Sequence, residues 1–292
     1  MKVLLLGPNG QLGGDIRRAH EAADAPFELI LLGRDQLDVA GPAVAETLAD
    51  LDFDALINCT SYHKTDEVED NATLAFAVNT HGVAAMAEAC AAKRAKFLHI
   101  STDYVFGGDP ARATPLAEDA AMAPVNVYGA SKAMGETLAL LANPDALILR
   151  VASLFGVDGA SGKGGNFVET MIRFGREKGK LRVVEDQIMS PTATADIATA
   201  ILGLLARDAG PGRYHVVNSG GGVSWFEFAR AIIEAARVDA VVDPCPSSEY
   251  ATRARRPAYS ALDNSRLGAT LGAPMPDWRD ALGRYLIAKG HV

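Results

Sequence analysis

The stretch KVLLLGPNGQLGGDIRR, residues 2–18, decides how this chain begins to fold. Val3 to Leu6 is a short apolar run of the kind that forms a buried strand, and the residues after the glycines have the character of a helix start. Gly7, Gly10 and Gly13 lie between the two. Glycines here allow a tight turn, close approach of the backbone to a pyrophosphate and close packing of helix on strand. The stretch therefore predicts a strand, a glycine turn and a helix whose first amides face the phosphates of a dinucleotide.

Short apolar runs alternate with alanine-rich helical stretches through the first half of the chain. The runs are KVLLLG, FELILLGR, DALINCTS, FLHISTDYVF and ALILRVASLF. Strands that are buried on both faces have this composition, and helices between them imply parallel βαβ units. The pattern predicts an α/β fold in which residues 1–155 form a parallel sheet that binds NAD(P).

The pattern loosens beyond residue 155. Residues 156–165 are predicted to form a glycine-rich loop, and further strands are predicted at 181–184 and 214–217. Ser224 has a glutamate three residues on, which is the capping-box pattern of a helix start. We predict that residues 156–292 form mostly a smaller substrate-binding domain. Alternatively, the strands at 181–184 and 214–217 join the sheet formed by residues 1–155.

Composition limits the classes of protein to which the chain can belong. The 292 residues are 49% hydrophobic and 22% charged, with a net charge of −8 and a pI near 5.3. An acidic chain is poorly suited to grip nucleic acid through its phosphates. Three cysteines stand far apart, without the spacing of a metal or redox site, and no apolar run has the length of a signal-peptide core or a membrane span. We expect a cytoplasmic protein without a membrane or nucleic-acid partner.

A tyrosine and a lysine stand four residues apart in VNVYGASKAMGE. On a helix over residues 128–142, Tyr128 and Lys132 share a face. A cation beside a phenol favours the phenolate, so we expect a lowered pKa for Tyr128, which suits it to donate a proton to a carbonyl. Ser101 or Thr102, at the end of the strand in FLHISTDYVF, has a hydroxyl to hold the same carbonyl oxygen. Together with a dinucleotide these groups predict a carbonyl reductase.

Several motifs occur in the order found in one family. GPNGQLG, STDYVF, PVNVYGASKAMGE, NFVETM, DQIMSPT, ARRPAYSALDNSRLG and DWRDAL resemble the dTDP-4-dehydrorhamnose reductases, which are extended short-chain dehydrogenases/reductases. The resemblance spans nearly the whole chain. It implies a Rossmann-type doubly wound parallel sheet with a smaller C-terminal substrate domain. It also implies NADPH-dependent reduction of the 4-keto group of dTDP-4-dehydro-L-rhamnose to dTDP-L-rhamnose.

The resemblance assigns roles to the residues that match the family's motifs. Tyr128 would donate the proton, and Lys132 would hold the nicotinamide ribose and tune the tyrosine. Thr102 would bind the keto oxygen. The implied cofactor contacts are Gly7, Gly10, Gln11, Leu12, Gly13, Asp38, Val39, Thr60, Ser61, Tyr62, Tyr128 and Lys132. The implied substrate contacts are Thr102, Asp103, Ser153, Asn166, Phe167 and Arg256, and Arg150 would support the site.

Some of these residues have simpler alternatives. Hydroxyls at Ser101 and Thr102 also satisfy loop amides in many proteins. Asp38 is an alternative cap for the helix that follows it. Thr60 and Ser61 suit a plain turn as well as a cofactor contact.

Arg34 bears on the choice of cofactor. It follows the second predicted strand in LILLGR, where a site for NAD usually has an acidic residue and an arginine suits the 2′-phosphate of NADP. Asp35 stands one place later, and the alternative for Arg34 is a plain surface charge. We predict NADPH as the cofactor, with NADH tolerated.

Three departures from the family pattern concern the substrate. Ser153 stands where the family has a tryptophan that packs against the sugar, Glu67 where lysine is usual and Met189 where glycine is usual. Loss of a flat aromatic removes a stacking wall, so a different sugar or base is one alternative. Ala195 occupies a position where some members have a metal-binding glutamate, and we predict no essential metal.

Two alternatives to the leading function remain open. One is a reductase of another nucleoside-diphosphate 4-keto-6-deoxy sugar. The other is a non-catalytic protein that binds NADP, because the regulatory β-subunit of methionine adenosyltransferase resembles the same family. The sequence leaves the assembly open between a monomer and a homodimer.

Overall fold

The computed structural model describes residues 1–158 and 165–292. Most of the glycine-rich loop predicted at residues 156–165 therefore lies outside the described residues. The strands are β1 (Lys2–Leu6), β2 (Glu28–Leu32), β3 (Ala55–Asn58), β4 (Lys96–Thr102), β5 (Leu147–Val151), β6 (Leu154–Phe155), β7 (Lys180–Val184), β8 (Ile188–Met189), β9 (Thr192–Ala193), β10 (Gly212–His215), β11 (Val223–Ser224) and β12 (Val241–Cys245).

Helices separate most of these strands. They are α1 (Gln11–Ala22), α2 (Val44–Asp50), α3 (Thr65–Val68), α4 (Ala72–Phe76), α5 (Gly82–Lys93), α6 (Val127–Ala142), α7 (Phe167–Lys178), α8 (Thr194–Ala206), α9 (Trp225–Ala235), α10 (Ser265–Leu271) and α11 (Trp278–Ala288). None of the helices in the described ranges has the length and apolar character needed to cross a membrane.

Six strands form one parallel sheet in the order β10-β5-β4-β3-β1-β2. Val3 of β1 pairs with Leu29 of β2 on one side and with Ala55 of β3 on the other. The chain thus leaves β1 in one direction to form β2 and returns to build β3, β4 and β5 on the other side. This reversal beside β1 is the switch point at which doubly wound sheets bind ligands. The predicted Rossmann-type α/β fold is confirmed.

Both faces of the sheet are buried, which explains why its strands are continuously apolar. Val3 and Leu5 pack with Ile16 of α1 and with α8 on one face. Leu4 and Leu6 point the other way, into a core that α2 and α5 complete. Because successive side chains of a strand point to opposite faces, a strand between two helical layers needs apolar residues at every position.

The two later strands have different positions. β10 forms the edge of the six-stranded sheet beside β5, where Tyr214 pairs with Leu149. The predicted strand at 181–184 does not join that sheet: as β7 it pairs in parallel with β12, with Leu181 opposite Val242. Its exposed alternate residues, such as Arg182, suit a short two-stranded sheet rather than a doubly covered one. The division of the chain near residue 155 stays a prediction.

A second core lies in the C-terminal part of the chain. Phe155, Phe228 and Trp278 are fully buried there, and the ring centroids of Phe228 and Trp278 are 5.6 Å apart in an edge-on arrangement. Helix α9 begins as predicted, because the Ser224 hydroxyl accepts from the Glu227 amide while the Glu227 carboxylate accepts from the Ser224 amide. This cap fixes the start of a helix whose first residue, Trp225, lies at the cleft described below.

The helical segment over residues 72–93 is interrupted in its first half. Ala77–His81 forms a π-helical turn between α4 and α5. The turn places Asn79 in the interior. Gly82, the next residue after the turn, packs so tightly against the loop at Val39 that a Cβ on it would lie 2.2 Å from the Val39 carbonyl oxygen. Such bulges are often found at functional sites, and this one borders the cleft.

Candidate active site

A cleft opens at the carboxyl ends of the central strands, next to the switch point. Its main cavity is about 460 Å³, and a second cavity of about 320 Å³ adjoins it through shared residues Gly7, Thr60 and Ser61. Of the predicted site residues, the structure brings to the main cavity Gly7, Gly10, Gln11, Leu12, Gly13, Thr60, Ser61, Thr102, Asp103, Tyr128, Lys132 and Ser153. It brings Arg34, Asp38, Val39 and Tyr62 to the second cavity.

The glycine turn forms one wall of the main cavity. Gly7 has φ +77°, a left-handed conformation that favours glycine. A Cβ on Gly13 would lie 2.2 Å from the Gly7 carbonyl oxygen, so that position also requires glycine. Helix α1 begins here with Gly10 as its N-cap and no side-chain cap, which leaves its first amides for a ligand.

Gln11 indicates that this wall is built to bind something polar. Its side chain is buried, and its Oε1 atom has no hydrogen-bond partner among the described residues. A buried acceptor without a partner is costly unless a ligand or water supplies the donor. The turn and the open helix start fit the diphosphate of a dinucleotide. The Gln11 oxygen needs a donor, which a hydroxyl or N–H group of the same ligand can supply and a diphosphate cannot.

The second cavity lies over the end of β2. Arg34 is 82% exposed, and its guanidinium lies 4.0 Å from the Asp38 carboxylate. Asp38 does not cap α2, whose N-cap is Ala43; its Oδ1 instead accepts from the Ala40 amide at 3.1 Å. An exposed arginine at this edge matches the anionic phosphate of an NADP-type nucleotide.

The loop after β3 is held by a buried amide that the sequence analysis did not identify. Asn79 Oδ1 accepts from the Tyr62 amide at 2.9 Å and from the Ser61 hydroxyl at 3.1 Å. Its Nδ2 donates to the Tyr62 carbonyl and to the Ser131 hydroxyl, both at 3.0 Å. This amide ties the loop to α6 and so places the loop beside Tyr128. The π-helical turn that buries Asn79 leaves no clear signal in the sequence.

The predicted catalytic residues lie together. Helix α6 starts at its N-cap Asn126, so Tyr128 and Lys132 lie one turn apart in its first half and line the same cavity. Thr102 ends β4 directly opposite, and its hydroxyl and that of Ser61 interact with the Tyr128 phenol. The phenol therefore lies among hydroxyl groups at the end of the central sheet.

The expected lowering of the Tyr128 pKa is wrong for the protein in this state. Burial raises the pKa of Tyr128 to about 12, and Thr102 and Ser61 only partly offset the effect. Lys132 is not among the groups that act on the phenol, because its Nζ donates to the Ile100 carbonyl at 2.6 Å and contacts His99 Nε2 at 3.1 Å. Burial lowers the pKa of Lys132 itself to about 7. Four residues of helical spacing thus do not bring the two polar groups into direct contact.

Asp103 is buried beside Thr102. Its Oδ1 accepts from the Thr102 hydroxyl at 3.0 Å, and its Oδ2 accepts from the Ser260 hydroxyl at 2.6 Å. Burial raises the pKa of Asp103 to about 6 despite these two donors. The Thr102 oxygen also accepts from the Tyr104 amide at 3.2 Å. The Thr102 proton must therefore turn away from Asp103 before it can point to a ligand.

A buried ion pair supports the floor of the cleft. Arg150 and Glu136 are both fully buried, with Arg150 Nη2 2.8 Å from Glu136 Oε2. The Ser101 hydroxyl donates to the same carboxylate at 2.5 Å. Ser101 therefore has a structural partner, and of the two candidate hydroxyls only that of Thr102 can turn toward a ligand in the cavity. The pair joins β5 to α6, the helix that carries Tyr128 and Lys132.

Comparison with known proteins identifies the family of this chain. The family described as "RmlD substrate binding domain" matches residues 1–289. The chain belongs to this family.

Individual members of the RmlD family are similar over almost their whole length. A dTDP-4-dehydrorhamnose reductase of Mycobacterium tuberculosis is 39% identical over 98% of this chain and 93% of that protein. A probable dTDP-4,6-dihydroxy-2-methyloxan-3-one 4-ketoreductase of Streptomyces antibioticus is 36% identical over 97% of this chain and 93% of its own. The crystal structure of dTDP-4-dehydrorhamnose reductase from Bacillus anthracis, in complex with NADP, has a TM-score of 0.89 and 35% identity, covering 98% of this chain and 99% of that one.

Ser153, where the resemblance leads us to expect a tryptophan, lies in the main cavity. It has φ +45°, a left-handed conformation that is uncommon for a residue other than glycine. The ring of Trp225, which the sequence analysis did not identify as a site residue, also lines this cavity. The signal was available, since Trp225 directly follows the predicted cap Ser224.

Asn166 and Phe167 do not line either cavity described above. Asn166 caps α7 by accepting from the Glu169 amide, and its Nδ2 donates to the Gly156 carbonyl and the Tyr285 hydroxyl. Phe167 packs against Trp225, with ring centroids 4.6 Å apart. The geometry gives Asn166 a structural role and gives Phe167 a supporting one behind Trp225. The predicted substrate contacts of these two residues stay predictions.

Arg256 also lies outside the two cavities. Its Nη2 donates to the Asp66 carboxylate at 2.7 Å, and its Nη1 is buried without a partner among the described residues. The predicted role of Arg256 as a substrate contact stays a prediction. Within the described ranges, no group of three His, Cys, Asp or Glu side chains is arranged to hold a metal ion.

Proposed function

We propose that this protein catalyses the NADPH-dependent reduction of the 4-keto group of dTDP-4-dehydro-L-rhamnose to dTDP-L-rhamnose. The observation that carries the proposal is that Tyr128, Lys132 and Thr102 line one cavity with the glycine turn. A dinucleotide on that turn and a keto sugar beside Tyr128 would lie next to each other in this cavity. The M. tuberculosis and B. anthracis relatives, named for this reaction, support the choice of substrate.

In the proposed reduction, different residues of the chain would bind the cofactor, donate the proton and hold the keto oxygen. The amides of the first turn of α1 would hold the diphosphate, and Lys132 would hold a ribose. When bound, NADPH supplies the hydride that reduces the carbonyl carbon. Tyr128 carries its proton at neutral pH, and burial raises its pKa further, to about 12. As negative charge develops on the keto oxygen, Tyr128 gives that proton to it, and the Thr102 hydroxyl donates a hydrogen bond to the same oxygen.

The experiment that tests the proposal is turnover with defined keto sugars. We expect the full chain to consume NADPH with dTDP-4-dehydro-L-rhamnose and to release dTDP-L-rhamnose, identified by chromatography against a standard. UDP- and GDP-linked keto sugars serve as controls for the base. Tight binding of NADPH without turnover of any of them would contradict an enzymatic function and favour the non-catalytic alternative.

A second candidate is reduction of a related dTDP-linked 4-keto-6-deoxy sugar. Ser153 favours it, because the position lacks the aromatic ring that the resemblance leads us to expect, and because it lines the cavity. The S. antibioticus relative is named as a probable 4-ketoreductase of a different sugar. Faster turnover of another dTDP-4-keto sugar than of the rhamnose precursor would establish this candidate instead.

Arg34 should determine the preference between the two dinucleotides. Replacing Arg34 with alanine removes a cation that can bind the 2′-phosphate, so we expect NADPH affinity to fall about tenfold while NADH affinity stays unchanged. Fluorescence titration with each dinucleotide measures both constants. An equal loss for NADPH and NADH would show that Arg34 acts on something other than the 2′-phosphate.

A further inference from the structure

The amino group of Lys132 has two fixed neighbours inside the protein. Its Nζ donates to the Ile100 carbonyl at 2.6 Å and lies 3.1 Å from Nε2 of His99. Lys132 is 1% exposed and His99 is fully buried. Which of the two nitrogens supplies the proton in the contact between Lys132 and His99 is decided one residue further away, at Asn58.

Asn58, at the end of β3, has a fixed orientation. Its Oδ1 accepts from the Thr60 amide at 2.9 Å and from the Thr60 hydroxyl at 2.6 Å. With the amide oxygen held by two donors, Nδ2 faces His99 Nδ1 at 3.0 Å. An amide nitrogen only donates hydrogen bonds, so His99 Nδ1 must accept and carries no proton.

The tautomer of His99 follows from this contact. Burial, and then the neighbouring Lys132, hold the pKa of His99 well below its usual value, so the ring is neutral. A neutral imidazole with an unprotonated Nδ1 carries its proton on Nε2. That proton points at Lys132 Nζ. An ammonium has three donors and no lone pair to accept it, whereas an uncharged amine has one.

We propose that Asn58, acting through the tautomer of His99, favours the uncharged amine of Lys132 over the ammonium in the cofactor-free protein. The amine accepts from His99, donates to Ile100 and keeps one N–H for a ligand. Asn58 and His99 are then positioning residues for Lys132. The proposal bears on how the proposed reductase is prepared for its cofactor, but it does not depend on turnover.

The charged and titratable groups around Lys132 are consistent with this assignment. Glu136, one turn along α6, raises the pKa of Lys132 but is already bonded to Ser101, Arg150 and Arg213. Cys59 faces Lys132 from the end of β3, and burial raises its pKa to about 12, so it is an uncharged thiol at neutral pH. Tyr128 is also neutral there, and Asp103 bonds to Thr102 and Ser260. Burial outweighs these groups and lowers the pKa of Lys132 to about 7.

An uncharged lysine has a consequence for dinucleotide binding. Below the pKa of Lys132 the cleft has an additional cation for a polyanionic ligand, and above that pKa it does not. The affinity for NADPH should therefore fall as the pH rises through about 7. A lysine with its ordinary pKa would give no such fall, since that lysine would stay charged throughout this range.

The decisive measurement is the tautomer of His99 in the full chain. Histidine labelled with ¹⁵N in the ring distinguishes Nε2–H from Nδ1–H by its two-bond ¹H–¹⁵N correlations. We expect His99 in the wild-type protein to carry its proton on Nε2. A proton on Nδ1 in the wild-type protein would overturn the proposal without any variant being needed.

Asn58→Asp is designed to reverse the tautomer. One carboxylate oxygen keeps the two Thr60 donors, and the other can accept from His99 Nδ1–H. His99 Nε2 then becomes an acceptor for a Lys132 ammonium, so the pKa of Lys132 should rise by about one unit or more. The fall in NADPH affinity should move to higher pH by the same amount. A ¹³C-lysine titration and NADPH fluorescence measure the two effects.

Asn58→Leu is the matched control, because it removes the amide donor without adding charge or an acceptor. His99 should then lose its fixed tautomer, and the pKa of Lys132 should rise less than in Asn58→Asp. If the aspartate variant raised the pKa of Lys132 while His99 kept its proton on Nε2, simple attraction between charges would explain the result and the proposal would fail. A purely structural role for Asn58 predicts no change of tautomer in either variant.

Discussion

Tyr128→Phe should lower kcat for reduction of the keto sugar about 10³-fold, because it removes the group that protonates the developing alkoxide. The cofactor wall, formed by the glycine turn and α1, is untouched, so NADPH affinity should stay within about threefold of the wild-type value. Consumption of NADPH under saturating substrate measures kcat, and fluorescence titration measures binding of NADPH. Full activity in the variant would show that another group supplies the proton.

Tyr104→Phe is the matched control for this prediction. Tyr104 also lines the cavity, and its ring packs edge-on against that of Tyr128 with centroids 5.8 Å apart. Removing its hydroxyl changes the cavity by the same single atom but leaves the Tyr128 phenol in place. We expect kcat to fall by less than about tenfold, and similar losses in both variants would point to packing rather than proton donation.

Arg150→Met should destabilise the fold by about 3–5 kcal/mol, the usual cost of removing one partner of a fully buried ion pair. Arg150 bonds to both oxygens of Glu136, with Nε 2.9 Å from Oε1 and Nη2 2.8 Å from Oε2. The substitution leaves the Glu136 carboxylate in the interior without its principal counter-charge. Chemical denaturation, followed by circular dichroism, gives the change in the free energy of unfolding.

Arg213→Met tests whether burial determines that cost. Arg213 contacts the same carboxylate at 3.2 Å, but its side chain is 31% exposed. A partly solvated partner contributes little, so we expect a loss of about 1 kcal/mol or less. Equal losses in the two variants would contradict the assignment of Arg150 as the principal partner of the Glu136 carboxylate.

The free energy of unfolding also depends on pH through Lys132 and Asp103, which act in different pH ranges. The lowered pKa of Lys132 means that the unfolded chain binds more protons between about pH 7 and its ordinary value, so stability from this group rises with pH there. The raised pKa of Asp103 means that the folded chain binds more protons between its ordinary value and about pH 6, so stability falls as the pH rises through that range. Variants should therefore be compared at one pH.

The sequence alone determined the parts of this protein that depend on local pattern. The strand, glycine turn and helix of residues 2–22 follow from an apolar run and three glycines, because a doubly covered strand must be apolar at every position. The start of α9 follows from the Ser224 and Glu227 cap, and the shared helix of Tyr128 and Lys132 follows from their spacing. These features involve residues that are close in the chain.

The tertiary structure alone decided which strands pair and which hydrogen-bond partners the site residues have. The strand at residues 180–184 pairs with β12 rather than with the main sheet, and helical spacing could not show that Lys132 turns to His99 instead of Tyr128. Asn58 and Asn79 are polar residues in otherwise unremarkable positions until the fold buries them beside the cleft. The physical reason is that hydrogen-bond partners and desolvation depend on residues far apart in the chain, and the charge of a buried group depends on both.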